Sequence, residues 1–197
     1  MNKSTKIQNN DQEPNRQEPE IRQPEIRQIV QLGNPILREQ AQVISDLSSQ
    51  TMQQLIVDLI TTAKDAGGVG IAAPQIGVSL QLFIMASSPN SRYPNAPEME
   101  PTAIFNPVII ESCGEVLKDW EGCLSVPGIR GLVPRPSQIT TEFQTADGKK
   151  HRKQFEGFIA RIFQHEFDHL IGLTFLDRVT DNKDLMSEQE FYRQVMG

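Results

Sequence analysis

Residues 157–170 read GFIARIFQHEFDHL, and this stretch decides how the rest of the chain is understood. Phe158, Ile159, Ile162, Phe163 and Leu170 recur at helical spacing, which predicts a helix with one apolar side. Gly172 just beyond it is a natural stop. His165 and His169 are four apart, so they project from one face, roughly 40° apart about the axis. Phe155, Phe158, Ile159 and Ile162 are read onto that same side, so the pair points into the interior. Two buried imidazoles and the carboxylate of Glu166 would be costly without partners, and a metal ion is the simplest partner. The H-E-x-x-H order also has a chemical reason. Two imidazoles hold the ion, the ion lowers the pKa of a water toward about 7, and the neighbouring carboxylate takes and redelivers the proton. The competing reading is a satisfied pair of core histidines.

Two protein ligands leave such a site one short, because a catalytic ion of this kind usually takes three and a water. Metzincin proteases place a third histidine six residues past the second, after a glycine. Gly172 fits the glycine, but position 175 is Phe175. His151 falls on a hairpin read as exposed, and Glu188 and Glu190 lie close to a loose terminus. Cys123, within Glu121-Gly122-Cys123-Leu124-Ser125, is the better candidate. A thiolate is a strong ligand for a divalent ion, which in turn lowers the thiol's pKa. Its competing role is that of a small buried apolar residue. A further segment, GGVGIAAPQIG at residues 67–77, is rich in glycine and alanine, which lets a ligand or another backbone approach closely. It lacks the layout and the lysine of a phosphate loop. Gln75 within it can donate a hydrogen bond to a developing oxyanion. Its competing reading is a helix stop followed by a tight turn.

Outward from these segments, residues 46–66 predict an amphipathic helix on Met52, Leu55, Ile56, Leu59, Ile60 and Ala63. Asp46 or Ser48 would cap it, and Gly67-Gly68 would end it. Residues 80–86 and 104–110 read as buried strands, and 87–101, with its prolines, as an exposed loop. Residues 137–145 and 149–155 read as a hairpin turning at Asp147-Gly148. The expected fold is α+β: short antiparallel strands packed around a central metal-binding helix, with an N-terminal helix. Residues 1–25 are polar, with aliphatic residues only at Met1, Ile7 and Ile21, and predict a disordered tail. Its near-repeat, QEPEIR then QPEIR over residues 17–27, is too short for a solenoid. Residues 26–180 form the expected catalytic domain and 181–197 a C-terminal extension, partly helical from Ser187.

The balance of 25 acidic against 19 basic side chains, net −6, offers no footprint for nucleic acid. Lys149, Lys150, Arg152 and Lys153 cluster at the expected hairpin and read as a solvated strand end. No apolar run is long enough to span a bilayer, and no apolar h-region opens the sequence. Asp11, Glu13, Glu18, Glu20 and Glu25 argue against a transit peptide. A cytoplasmic location is expected, with Cys113 and Cys123 free in a reducing compartment.

Taken together and in order, three segments resemble the signature motifs of the peptide deformylase family. They are G-x-G-[LI]-A-A-x-Q at residues 68–75, E-G-C-L-S at 121–125 and H-E-x-D-H at 165–169, and the resemblance spans roughly residues 26–180. It implies an enzyme that removes the formyl group from the N-terminal formyl-methionine of new polypeptides and releases formate. It implies Cys123, His165 and His169 on one divalent ion, Glu166 as general acid/base, and Gln75 with the backbone N–H of Leu124 stabilising the oxyanion. Gly70 is expected to hydrogen-bond the substrate backbone, with Val69, Phe158 and Ile162 lining a slot for methionine. The ion implied is Fe(2+), although Zn(2+), Ni(2+) or Co(2+) suit the same donors. The implied partners are the N-formylmethionyl nascent polypeptide and the ribosome, with no direct nucleic-acid binding and no membrane. Arg161, one turn before His165, stands where an aliphatic residue is expected, so its stem should line the pocket and its guanidinium reach water. Arg135 between Glu121 and Asp168 should brace the Cys123 loop against the helix. Without the resemblance three alternatives stand: an HExxH-type metalloprotease with no role for Cys123, a cysteine hydrolase using Cys123 and His165, and a metal-binding module in which Glu166 has no task.

Overall fold

Leu82, Phe83, Ile84 and Met85 are four consecutive buried residues, and they explain the layering of the molecule. In a strand they must alternate in direction. Leu82 and Ile84 join the core built on the first helix, whereas Phe83 and Met85 join the core built on the second. The computed structural model describes residues 22–89 and 95–196. Six strands form one antiparallel sheet: β1 (Gly70–Ala72), β2 (Leu82–Ser87), β3 (Met99–Cys123), β4 (Val126–Gln144), β5 (Lys150–Glu156) and β6 (Leu185–Ser187). Their order is β1-β2-β3-β4-β5, with β6 paired to residues 129–131 of β4. The fold is thus a mixture of helices and antiparallel sheet.

Helix α1 (Gln50–Asp65) buries Met52, Leu55, Leu59 and Ala63 against Ile71, Ile76, Ile84 and Phe105. The expected caps are not used: Asp46 instead accepts from the N–H and hydroxyl of Ser48, and the cap position is Ser49, whose side chain makes no capping bond to the helix. Gly67, at φ 62°, reverses the chain behind the helix, a conformation that glycine adopts without a steric penalty. Helix α2 (Gly157–Leu170) has the expected bounds and packs Ala160, Ile162, Phe163 and Leu170 against Phe83, Ile104, Ile139 and Phe143. Phe155 joins the same core from β5 rather than from the helix.

The strands were expected to be short, and two are not. β3 runs for 25 residues and β4 for 19, folded back on each other through Leu124-Ser125. Register shifts at Phe105/Val108, Ile109/Glu111 and Cys113/Val116 break the alternation of burial. The first of them places Asn106 at φ 46°, where its side chain holds both the N–H and the carbonyl of Ile44. Most of residues 111–119 are exposed on both sides, so they carry no apolar period to read. In the expected loop at 87–101, Met99–Pro101 already belong to β3, and residues 90–94 lie outside the described residues.

The expected tail lies mostly at residues 1–21, outside the described residues. Its last four residues run along α1, where Arg22 pairs with Asp58 at 2.5 Å and Glu25 N–H reaches the same carboxylate at 3.1 Å. At the other end, α3 (Glu188–Gln194) is capped by Ser187, whose hydroxyl accepts from Glu190 N–H at 3.3 Å.

Candidate active site

The end of β3, the C-terminal half of α2 and the turn after β1 meet at one cavity. Cys123 closes β3, His165, Glu166 and His169 come from α2, and Gln75 sits in a 3-10 turn over Ala73–Ile76. The ligating atoms of Cys123, His165 and His169 all lie within 4.8 Å of one another, with Cys123 Sγ 3.3 Å from His169 Nε2. The other candidates for a third ligand are elsewhere. His151 is exposed on β5 beside Thr145, Glu188 pairs with Arg130, and Phe175 stacks on His165 with ring centroids 6.3 Å apart.

Burial alone would push the Cys123 thiol up, but the two imidazoles outweigh it and hold the thiol at about 5. Ser125 N–H and Gln75 Nε2 add weak donors to the sulfur at 3.4 and 3.5 Å. Burial disfavours charge on His165, yet the neighbouring Cys123 and Glu121 raise its pKa well above the usual value. Its Nδ1 lies 2.8 Å from Glu121 Oε2, which leaves Nε2 for the cavity. Burial pushes Glu166 up to about 7 against the pull of both histidines. Among the described residues, buried Glu166 Oε2 and His169 Nδ1 have no hydrogen-bond partner, and such atoms call for an explanation. One soft thiolate and two imidazoles converging beside an unpaired carboxylate oxygen suit a divalent ion that keeps a position open.

Gln75 is fixed at both ends of its amide: Oε1 accepts from Ala72 N–H at 2.8 Å and Nε2 donates to Ser125 Oγ at 3.2 Å. Gly70 opens β1 directly against Glu166, where a Cβ would run into the carboxyl group. Leu124 lies in the turn after Cys123 with its side chain against Gly68. Val69, Phe158 and Ile162 line the same cavity, joined by Trp120 and Arg161.

Beneath the cavity lies a buried charge cluster. Arg135 grips Glu121 with two bonds, Nε at 2.7 Å and Nη2 at 2.9 Å, and reaches Asp168 with Nη1 at 2.8 Å. Glu121 is held well below the usual carboxylate range, because Arg135 and His165 outweigh its burial. The expectation for Arg161 is corrected. Its guanidinium is buried and donates to Glu121 Oε1 at 2.8 Å, Val133 O at 2.9 Å and Leu117 O at 2.7 Å. Its partners lie on strands remote in sequence, so helical spacing gave no hint of them. Sequence reading also missed Arg178, 2.6 Å from Asp168, and Trp120, whose one signal was that the chain's single tryptophan adjoins the E-G-C-L-S segment.

A family model described as polypeptide deformylase matches residues 26–185. Peptide deformylase 2 of Nostoc sp. is 53% identical over 167 residues, which is 85% of this chain and 93% of that protein. Peptide deformylase 2 of Shewanella oneidensis is 46% identical over 162 residues, 82% of this chain and 89% of that protein. Among solved structures, the Met-Ala-Ser-bound class I type b peptide deformylase from Acinetobacter baumannii superposes with a TM-score of 0.78 at 40% identity, covering 80% of this chain and 100% of that one. The Synechococcus elongatus enzyme in complex with actinonin gives 0.72 at 31% identity, covering 85% of each.

Proposed function

We propose how the work is divided among these residues from one premise: the chain belongs to the peptide deformylase family and removes the N-formyl group from nascent polypeptides. The reaction is hydrolysis of a linear amide, giving formate and a free amine. Cys123, His165 and His169 would hold the divalent ion on which the family depends. When bound, that ion supplies Lewis-acid chemistry, polarising a carbonyl and bringing the pKa of water toward about 7. Fe(2+) is the ion of this reading, on the family resemblance; the thiolate and imidazole donors equally accept Zn(2+), Ni(2+) or Co(2+).

Glu166 moves the proton. With its pKa pushed to about 7 by burial, it takes a proton from the attacking water and returns it to the leaving amine. Gln75 Nε2 and the backbone N–H of Leu124 meet the charge that develops on the formyl oxygen. Glu121 fixes the tautomer of His165 through Nδ1, and Arg135 fixes Glu121. Gly70 leaves room for the peptide backbone beside Glu166, and Val69, Phe158 and Ile162 form the slot for methionine. The Met-Ala-Ser bound to the Acinetobacter relative has the composition of a deformylated product, which supports a site that holds Met and the residues after it. In this reading the catalytic unit is residues 26–180, with 181–197 an extension. A nascent substrate fits an enzyme that works in the cytoplasm at the ribosome, a contact that co-sedimentation tests.

The observation that carries the assignment is the convergence of Cys123, His165 and His169 beside the unpaired oxygen of Glu166. An HExxH-type metalloprotease would leave Cys123 without a task, yet its sulfur is 3.3 Å from His169. The test is formate release from a formyl-Met peptide under anaerobic conditions, with metal analysis of the same sample. Glu166→Ala should keep its metal and lose turnover by about a hundredfold or more, whereas Cys123→Ala should lose the metal. Full turnover in Glu166→Ala would refute the division of labour.

A further inference from the structure

The family match ends at Leu185, yet a residue after it packs against one that lines the cavity. Phe191 of α3 is buried, and its ring meets the ring of Trp120 edge-on, with centroids 5.4 Å apart at 64°. Trp120 in turn lines the cavity that holds His165 and Glu166. Phe191 is itself held from behind. The Arg130 guanidinium lies 5.2 Å over its ring and is anchored by Glu188 at 2.7 Å. The same guanidinium fills the space beside Gly122, where a Cβ would sit 2.5 Å from Arg130 Nη1. β6 ties this assembly to β4, with Met186 opposite Arg130. Trp120 of β3 is therefore backed by Phe191 of the C-terminal segment, and Gly122 by Arg130 of β4, which Glu188 of that segment anchors.

With Val69, Phe158 and Ile162 assigned to methionine, Trp120 is the largest apolar side chain left in the cavity for the residue that follows. We propose that Trp120 is a specificity-determining residue for the substrate's second residue and that Phe191 of the C-terminal extension is its positioning residue. A flat indole held at a fixed tilt favours large apolar second residues over small ones, because it buries their area without an ordering cost of its own. Without Phe191 the indole gains freedom that each bound substrate must take away again. The inference rests on the deformylase reading of this cavity.

The test compares formyl-Met-Phe-Ser with formyl-Met-Ala-Ser on the metal-loaded full chain. Wild type should favour the Phe peptide through KM, and Phe191→Ala should lower that preference by about threefold or more, again through KM rather than kcat. Trp120→Ala should bring the preference close to one. The double variant should be no worse than Trp120→Ala, since Phe191 acts through Trp120. Phe191→Leu, which keeps an apolar side chain against the indole, should retain most of the preference and serves if Phe191→Ala does not fold. Val195→Ala, at the exposed end of the chain, should match wild type. An equal preference in wild type and Phe191→Ala, or additive losses in the double variant, overturns the inference while leaving the deformylase reading intact. Absence of formate from both peptides with wild type would instead strike at that reading.

Discussion

Among the described residues, two clusters bring arginines onto buried carboxylates, and they differ in where the arginines end. Under the cavity, Arg135 and Arg161 are buried with the carboxylates they bind, with side chains 4% and 11% exposed against 5% for Glu121 and 3% for Asp168, and only Arg178 on the far side of Asp168 reaches water, at 41%. On α1, Asp58 is 1% exposed, but its partners Arg22 and Arg27 are 47% and 32% exposed. Identical chemistry thus has unlike consequences. Water can replace a lost arginine at Asp58, whereas under the cavity it does not reach Glu121, which would be left under-compensated in a poorly solvating interior. The first cluster also sets the direction of a His165 nitrogen, and the second only fastens residues 22–27 to a helix.

The largest effect should follow from Arg135→Ala, which takes two bonds from Glu121 and one from Asp168, leaving Glu121 to Arg161 and His165 and Asp168 to the half-exposed Arg178. Urea unfolding should show a loss of about 3–5 kcal/mol, and metal affinity should fall about 10- to 100-fold because His165 loses its fixed carboxylate. Arg161→Met should cost less, about 1–3 kcal/mol, since Arg135 keeps its double grip on Glu121 and the methionine refills the space of the stem. Its two carbonyl partners, Leu117 and Val133, lose a donor, so the loss should concentrate in the β3–β4 hairpin and show as faster amide exchange there. If Arg135→Ala were no more harmful than a change at Asp58, burial would not be what separates the clusters.

That separation also explains what was legible from sequence. The helix carrying His165, Glu166 and His169 is a local object: its apolar residues and its histidines obey one period, and its bounds came out as expected. The three motif segments likewise came together around one cavity, because each is short and fixed by its own glycines or helix. Arg161 was misread for the opposite reason. Its place one turn before His165 puts its stem at the cavity, and only partners remote in sequence, Glu121, Val133 and Leu117, make its guanidinium a buried one. The long arms of β3 and β4 were illegible because bulges interrupt their period and solvent lies on both sides of residues such as Glu115 and Lys118. Trp120 and Phe191 touch only through the tertiary fold, so no window of sequence contains both.

The smallest effect is the one expected at Asp58, and its pH dependence gives it a clear signature. Burial pushes the Asp58 carboxyl up, but hydrogen bonds from Gln54, the Glu25 N–H and Arg27, together with the charge of Arg22, hold it below the usual value. A carboxylate whose pKa is lower when folded contributes stability that is fully present above its unfolded value of about 3.9 and is lost as pH falls through the folded one. Asp58→Asn should therefore cost about 1 kcal/mol at neutral pH, since its arginines face water. The two unfolding curves should then converge as pH drops below about 4, the variant having no carboxylate there to protonate. Formate release should be as in wild type at every pH where both proteins are folded, because nothing in this cluster touches the cavity. A loss of turnover in Asp58→Asn would mean that residues 22–27 do more than fasten the chain. The link to examine would then be the strap that continues from them, where Val30 N–H donates to Gln75 O at 2.9 Å and Leu32 N–H to Ser125 O at 2.8 Å.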